Sequence, residues 1–194
     1  MVDLKLLEAL RRYPVFTIRQ IASIADKDMD YAYVMTYRMK KAGLIREIEK
    51  GKYTLEENPF VVASWIIWPS YISSWAALSF YKLTEQLPFT IHVVTTLKRK
   101  RKVITFGNSK IEFLTFKKDR FSGFSKRHYQ GKEIFVAEKE KAVVDALAAR
   151  KMSLEEAFYL IRANRKKLSL RRLFYYGKNI RGLNTKLKVM LHDS

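Results

Sequence analysis

Apolar positions follow two regimes along the chain. Up to about residue 57 they recur at helical spacing. Leu4, Leu6, Leu7 and Leu10 predict a helix over Leu4–Arg12 that Pro14 ends. Thr17 is a good N-cap for a second helix carrying Ile18, Ile21, Ala22 and Ile24. A third is predicted from near Asp28 to Ala42, with Ala32, Met35, Thr36 and Met39 on one face and Gly43 as its C-terminal cap. Leu44–Ile48 and Lys52–Leu55 then flank Lys50–Gly51, a short hairpin signal. Three helices and a hairpin in this order predict a winged helix-turn-helix.

From Asn58–Pro59, an N-cap followed by proline at the first helical position, the pattern becomes mixed. This places a boundary between units 1–57 and 58–194. Helices are predicted over Pro59–Ile67 and Ser74–Lys82, and a strand over the β-branched and aromatic run Phe89–Thr96. Val103–Phe106 and Ile111–Phe116 pair around Gly107–Asn108, and Glu133–Val136 is a further strand. Glu138–Ala149 reads as a helix. Ser153 with Glu156 is a capping box opening a helix to about Ala163; Ser169 opens another, and Gly182 precedes a last one. The expected fold class is α+β, with a small sheet packed by helices in the second unit. Phe60–Ala77 carries no charge over 18 residues, close to a membrane span, but Pro69, Ser73 and Ser74 interrupt it, so a buried core segment is expected. Met1–Leu10 contains Asp3 and Glu8 and no long apolar run, so no secretory leader is expected and a cytoplasmic location follows.

Composition narrows the chemistry. The chain has 194 residues and no cysteine, which excludes disulfides, thiolate zinc sites and cysteine nucleophiles. Its seven glycines form no phosphate-cradling motif, and His92, His128 and His192 lie far apart. Asp28-Met29-Asp30 sits where the third helix starts, where capping and the helix dipole explain it. Glu138, Glu140 and Asp145 read as surface or helix-dipole charges, and Trp65, Trp68 and Trp75 as a core cluster. No catalytic constellation and no cofactor is therefore expected. There are 38 Lys+Arg against 19 Asp+Glu, a formal net charge of +19, which points to a polyanion. The surplus is uneven: residues 1–57 hold 11 basic and 9 acidic residues, and residues 58–194 hold 27 and 10.

Opposite its core face, the third helix presents Asp30, Tyr31, Tyr33, Val34, Tyr37, Arg38 and Lys41. Tyrosine and arginine can meet both phosphates and base edges in a major groove; the alternative is that the rings cover neighbouring apolar surface. Lys50 and Lys52 at the hairpin and Arg19 in the second helix are candidate phosphate contacts. Two basic blocks add Lys98, Arg99, Lys100, Arg101 and Lys102, and then Arg165, Lys166, Lys167, Arg171 and Arg172. Both lack local ion-pair partners, so an anion is expected to neutralise them; double-stranded DNA or an acidic protein would serve.

A family resemblance supports the DNA reading. Tyr71-Ile72-Ser73-Ser74-Trp75-Ala76-Ala77-Leu78, Gln86-Leu87-Pro88-Phe89, Ile91-His92-Val93-Val94-Thr95-Thr96 and Ile134 through Leu147 resemble the AbiEi-type antitoxins, also described as viral-defence transcriptional regulators. Gly43-Leu44-Ile45 and Lys50-Gly51-Lys52-Tyr53 resemble that family's wing. The resemblance implies an N-terminal winged helix and an α/β C-terminal domain. It also implies negative autoregulation through inverted repeats at an operon, opposing a nucleotidyltransferase-like toxin without a stable complex. Here Ser74–Trp75 stands where a Ser-Ala pair is common, and the second unit is unusually basic. The expected function is a sequence-specific DNA-binding transcriptional regulator, and no enzyme. The alternative is a stand-alone activator or interaction module recruiting basal transcription factors through its basic C-terminal unit.

Overall fold

The computed structural model describes residues 4–85 and 88–192. Asp3, Gln86–Leu87 and the His192 side chain, named above, lie outside the described residues. The chain is a mixed α+β protein, with two sheets among the described residues. It opens with α1 (Leu4–Leu10), β1 (Phe16–Thr17), α2 (Ile18–Ala25), α3 (Met29–Lys41), β2 (Arg46–Glu49) and β3 (Lys52–Thr54). Local side chains fix both later helices. Thr17 and Gln20 form a reciprocal capping box on α2. The Asp28 carboxylate accepts the Tyr31 N–H at 2.8 Å and caps α3. Gly43, at φ +69°, ends α3: Leu44 N–H reaches the Met39 carbonyl at 2.9 Å and Gly43 N–H the Lys40 carbonyl at 3.0 Å. The short strands form an antiparallel sheet in the order β1-β3-β2. Its core contains Leu6, Leu10, Phe16, Ile21, Ala32, Met35, Met39, Ile45 and Tyr53.

Then follow α4 (Pro59–Trp65), β4 (Ser70–Ser73), α5 (Ser74–Phe80), β5 (Thr90–Thr95), β6 (Val103–Phe106), β7 (Ser109–Thr115), β8 (Phe124–Tyr129) and β9 (Lys132–Ala137). After these come α6 (Lys139–Ala148), α7 (Leu154–Ala163), α8 (Leu170–Gly177) and α9 (Leu183–His192). The sheet runs β6-β7-β5-β4-β9-β8, with β5–β7 and β4–β9 parallel and the other pairs antiparallel. The Ser153–Glu156 capping box on α7 and the Asn58 cap with Pro59 on α4 form as expected. The uncharged stretch 60–77 divides into α4, β4 and the start of α5, and among the described residues no helix is long and apolar enough to cross a membrane.

Three sequence expectations are corrected. Trp68 is 60% exposed, its ring 4.6 Å from that of Phe135, because it lies in the turn between α4 and β4; only Trp65 and Trp75 are half-buried against the core. The sequence pattern does not predict strands β1, β4 and β8, which the structure contains. Glu140 and Asp145 are not surface charges: both are buried, because α6 lies under α5 and α8 and presents polar groups inward. The Asp145 carboxylate accepts hydrogen bonds from Lys141, from the Tyr71 hydroxyl at 3.0 Å and from the Ser73 hydroxyl at 2.8 Å. Tyr71 and Ser73 alternate along β4 and so share the sheet face that meets α6. Burial pushes the Asp145 pKa up, and the Lys141 charge and the Ser73 and Tyr71 hydroxyls pull it back.

The hairpin β2–β3 belongs to both halves. Its register shifts between Glu47 and Glu49, and the intervening Ile48 leaves the small core and joins the large one. Arg46 lies over the Phe106 ring of β6 at 5.8 Å. Lys132 bonds the Arg11 carbonyl at 2.6 Å and Glu56 at 3.0 Å, and Asn58 donates to Gln130 at 2.6 Å.

Candidate nucleic-acid interface

The surface begins with α3. Ala32, Met35, Thr36 and Met39 are buried, as their spacing predicts. On the other side Asp30, Tyr33, Val34, Tyr37, Arg38 and Lys41 form one exposed stripe of three- and four-residue steps. Tyr33 is 56% exposed and Tyr37 65%. Rings so exposed gain little from burial in the free chain. Tyr31 departs from the expected face: it is half-buried and packs against the small core with the first turn of the helix. Lys40 pairs with Glu47 on β2, which links the end of α3 to the hairpin. That hydrogen bond holds the Glu47 carboxyl below its ordinary pKa.

The hairpin tip divides its two lysines. Lys50 is exposed beside Gly51, whose φ of +79° makes the turn. Lys52 turns inward, with its ammonium bound to Glu49 at 2.9 Å and to the Ile66 carbonyl at 2.5 Å. Its ammonium is thus tied to the chain, and it shares the Glu49 carboxylate with Arg99. Arg19 is exposed in the first turn of α2.

The first basic block is brought to this hairpin by one of its own members. Arg99 lies 4.0 Å from the centre of the Phe113 ring and pairs with Glu49, the residue before Lys50. Arg99 thus serves as a staple rather than facing a ligand, contrary to the expectation that the block lacked partners. Its neighbours Lys98, Lys100, Arg101 and Lys102 are exposed. The result is a cationic loop held beside the hairpin tip, an adjacency across 50 positions of sequence. Burial raises the Glu49 pKa, but bonds and charges from Lys52 and Arg99 outweigh it and hold the carboxyl below its ordinary range.

This staple makes a prediction. Glu49→Gln leaves Arg99 and Lys52 close together without their shared anion, which is expected to cost about 1–3 kcal/mol of stability. Because the folded pKa of Glu49 is depressed, its contribution is fully present above the unfolded value of about 4.3 and is lost as pH falls through the folded value. Urea unfolding at pH 7 and at pH 3 checks this: the gap between wild type and Glu49→Gln should be wide at pH 7 and narrow at pH 3.

The second block lies elsewhere. Arg165, Lys166 and Lys167 sit exposed in the turn between α7 and α8, and Arg171 and Arg172 are exposed on α8. Arg172 pairs with Glu138 at 3.1 Å. Arg127 of β8 and Lys139 of α6 line the same cleft as Lys166, Lys167 and Arg172. Sequence reasoning placed Arg127 in the extension of the first basic block to Lys132 rather than beside the second, and it missed Lys139, which stands beside residues that read as helix-dipole charges. Among the described residues no three His, Asp or Glu side chains converge to hold a metal ion. His92 is buried with Nε2 3.4 Å from Glu112, and burial lowers its pKa against the pull of that carboxylate.

No protein-family model matches the chain, and no curated protein matches its sequence.

Proposed function

We propose that the chain is a sequence-specific, double-stranded DNA-binding transcriptional regulator whose first 57 residues act as a winged helix. In this reading α3 enters a major groove. Tyr33, Val34, Tyr37 and Arg38 face base edges, and Lys41 faces a phosphate. The hairpin tip with Lys50, together with Lys98, Lys100, Arg101 and Lys102, lies along the flanking backbone, and Arg19 is a further backbone contact. The single observation that carries the reading is the exposed aromatic and cationic stripe of α3 directly opposite its buried face. The staple between Glu49 and Arg99 extends it, since it places a second set of cations next to the wing. Occupying a promoter in this way would regulate the operon that encodes the chain, as the family resemblance implies.

The backbone contacts are tested by salt. Each phosphate neutralised contributes roughly 0.9 to the slope of log K against log salt concentration. Replacing Lys98, Lys100, Arg101 and Lys102 together by serine, with Arg99 kept, is expected to reduce that slope by about 2–4 and to weaken all duplexes alike. A slope unchanged from wild type in a fluorescence-anisotropy titration would remove this loop from the interface.

A further inference from the structure

A cleft of about 450 Å3 opens between β8, the start of α6, the α7–α8 turn and α8. Arg127, Lys139, Lys166, Lys167 and Arg172 line it. Its two carboxylates are already committed. Glu138 takes Arg172 at 3.1 Å and the Tyr176 hydroxyl at 2.7 Å, and the buried Glu140 accepts the Ser169 N–H at 2.8 Å. Among the described residues, Arg127, Lys139, Lys166 and Lys167 have no carboxylate within ion-pair distance. The wall also holds Tyr81, whose buried hydroxyl donates to no acceptor and whose ring lies 5.7 Å from the Lys139 ammonium. Burial raises the Tyr81 pKa, and the neighbouring Arg127 guanidinium draws it back.

Two costs coincide here. Like charges crowded around one cleft repel one another until an anion enters. A buried hydroxyl with no acceptor for its proton carries a desolvation penalty until one reaches it. One ligand chemistry removes both: an anion rich in acceptor oxygens and carrying more than one charge. A single monovalent anion would leave most of the cations unneutralised. Linked phosphates match both the number of cations and their distribution over separate elements.

We propose that this cleft binds a ligand of two or more linked phosphates, held by Arg127, Lys139, Lys166 and Lys167, with the Tyr81 hydroxyl donating to a phosphate oxygen. The site shares Lys166, Lys167 and Arg172 with the second basic block but does not rest on base reading by α3. Two sources present this chemistry: neighbouring phosphates of a DNA strand, and a free polyphosphate or nucleotide.

The test is calorimetric titration of the full chain with inorganic tripolyphosphate. Arg127→Gln with Lys166→Gln should weaken binding about tenfold or more, while the charge-matched pair Lys110→Gln with Lys118→Gln should change it less than about twofold. Tyr81→Phe keeps the charge, so a merely electrostatic attraction would not register it. It is expected to weaken tripolyphosphate binding roughly three- to tenfold while raising the Tm of the free protein, because it deletes a buried hydroxyl that has no acceptor. A duplex arm separates the sources. Displacement of tripolyphosphate by duplex DNA assigns the cleft to backbone phosphates, and simultaneous binding assigns it to a free phosphate ligand. Absence of tripolyphosphate binding overturns the proposal, as does an equal loss in the charge-matched pair. Neither result bears on α3, because base reading is tested with Tyr37→Ala and Arg38→Ala, which lie outside this cleft.

Discussion

Replacing Asp145 by alanine is expected to cost about 3–5 kcal/mol of folding stability, the largest effect predicted for a single substitution in this chain. Removing the carboxylate leaves the Lys141 ammonium buried, with the Arg120 carbonyl at 2.8 Å as its remaining hydrogen-bond acceptor. The Tyr71 and Ser73 hydroxyls lose their acceptor in the same step. Three buried polar groups are thus stranded in the layer that joins α6 to the sheet. Domains of this size have a total stability of about 5–15 kcal/mol, so Asp145→Ala should remove a substantial fraction of it. The double variant Lys141→Met, Asp145→Leu removes both charges and fills the space, and should be the more stable of the two. Urea unfolding monitored by tryptophan fluorescence measures both. A loss below about 1 kcal/mol for Asp145→Ala would mean that the network does not hold α6 in place.

The second large effect concerns binding and should leave stability intact. Tyr37 and Arg38 are exposed, and neither contributes to the small core. Tyr37→Ala and Arg38→Ala are each expected to cost about 1–3 kcal/mol of discrimination between the preferred and unrelated duplexes for every base edge the side chain no longer reaches. The signature is selective: affinity for the preferred site falls toward the nonspecific level, while affinity for unrelated DNA changes little. The serine replacements in the 98–102 loop should show the opposite pattern, weakening every duplex alike and flattening the salt dependence. Equal losses on all sequences for Tyr37→Ala would move α3 from base reading to backbone contact.

Much of the small unit was legible because its signals are local. Capping by Thr17, Asp28 and Gly43 and the helical spacing of Ala32, Met35, Thr36 and Met39 each act within a few residues, and the structure repeats them. Strand β1 escaped because two residues pairing with β3 carry no periodicity of their own. Strand β4 was hidden in the uncharged stretch 60–77, where a run buried on both faces has no alternation to show. Strand β8 escaped for the opposite reason: it is an edge strand in which Lys126, Arg127 and His128 are exposed in succession.

The candidate surface divides along the same line. The stripe on α3 could be read from helical geometry, with Tyr31 the one residue misplaced at the helix start. The fate of individual cations could not, because ion pairing is settled by tertiary neighbours. Arg99 and Lys100 are adjacent in one run of five cations, yet the first is tied to Glu49 and stacked on Phe113 while the second is exposed. Lys50 and Lys52 divide in the same way across a single turn. A charge run therefore marks where cations are abundant, and only packing shows which of them remain free to meet a polyanion.

The central claim is that α3 reads sequence. It is tested most directly by sequencing the duplexes that the full chain selects from a random pool, in parallel with the Tyr37→Ala, Arg38→Ala protein. Enrichment of one motif by the wild type, reduced or abolished with the variant, is the predicted result. No enrichment over the starting pool, or the same motif selected equally well by the variant, would contradict it.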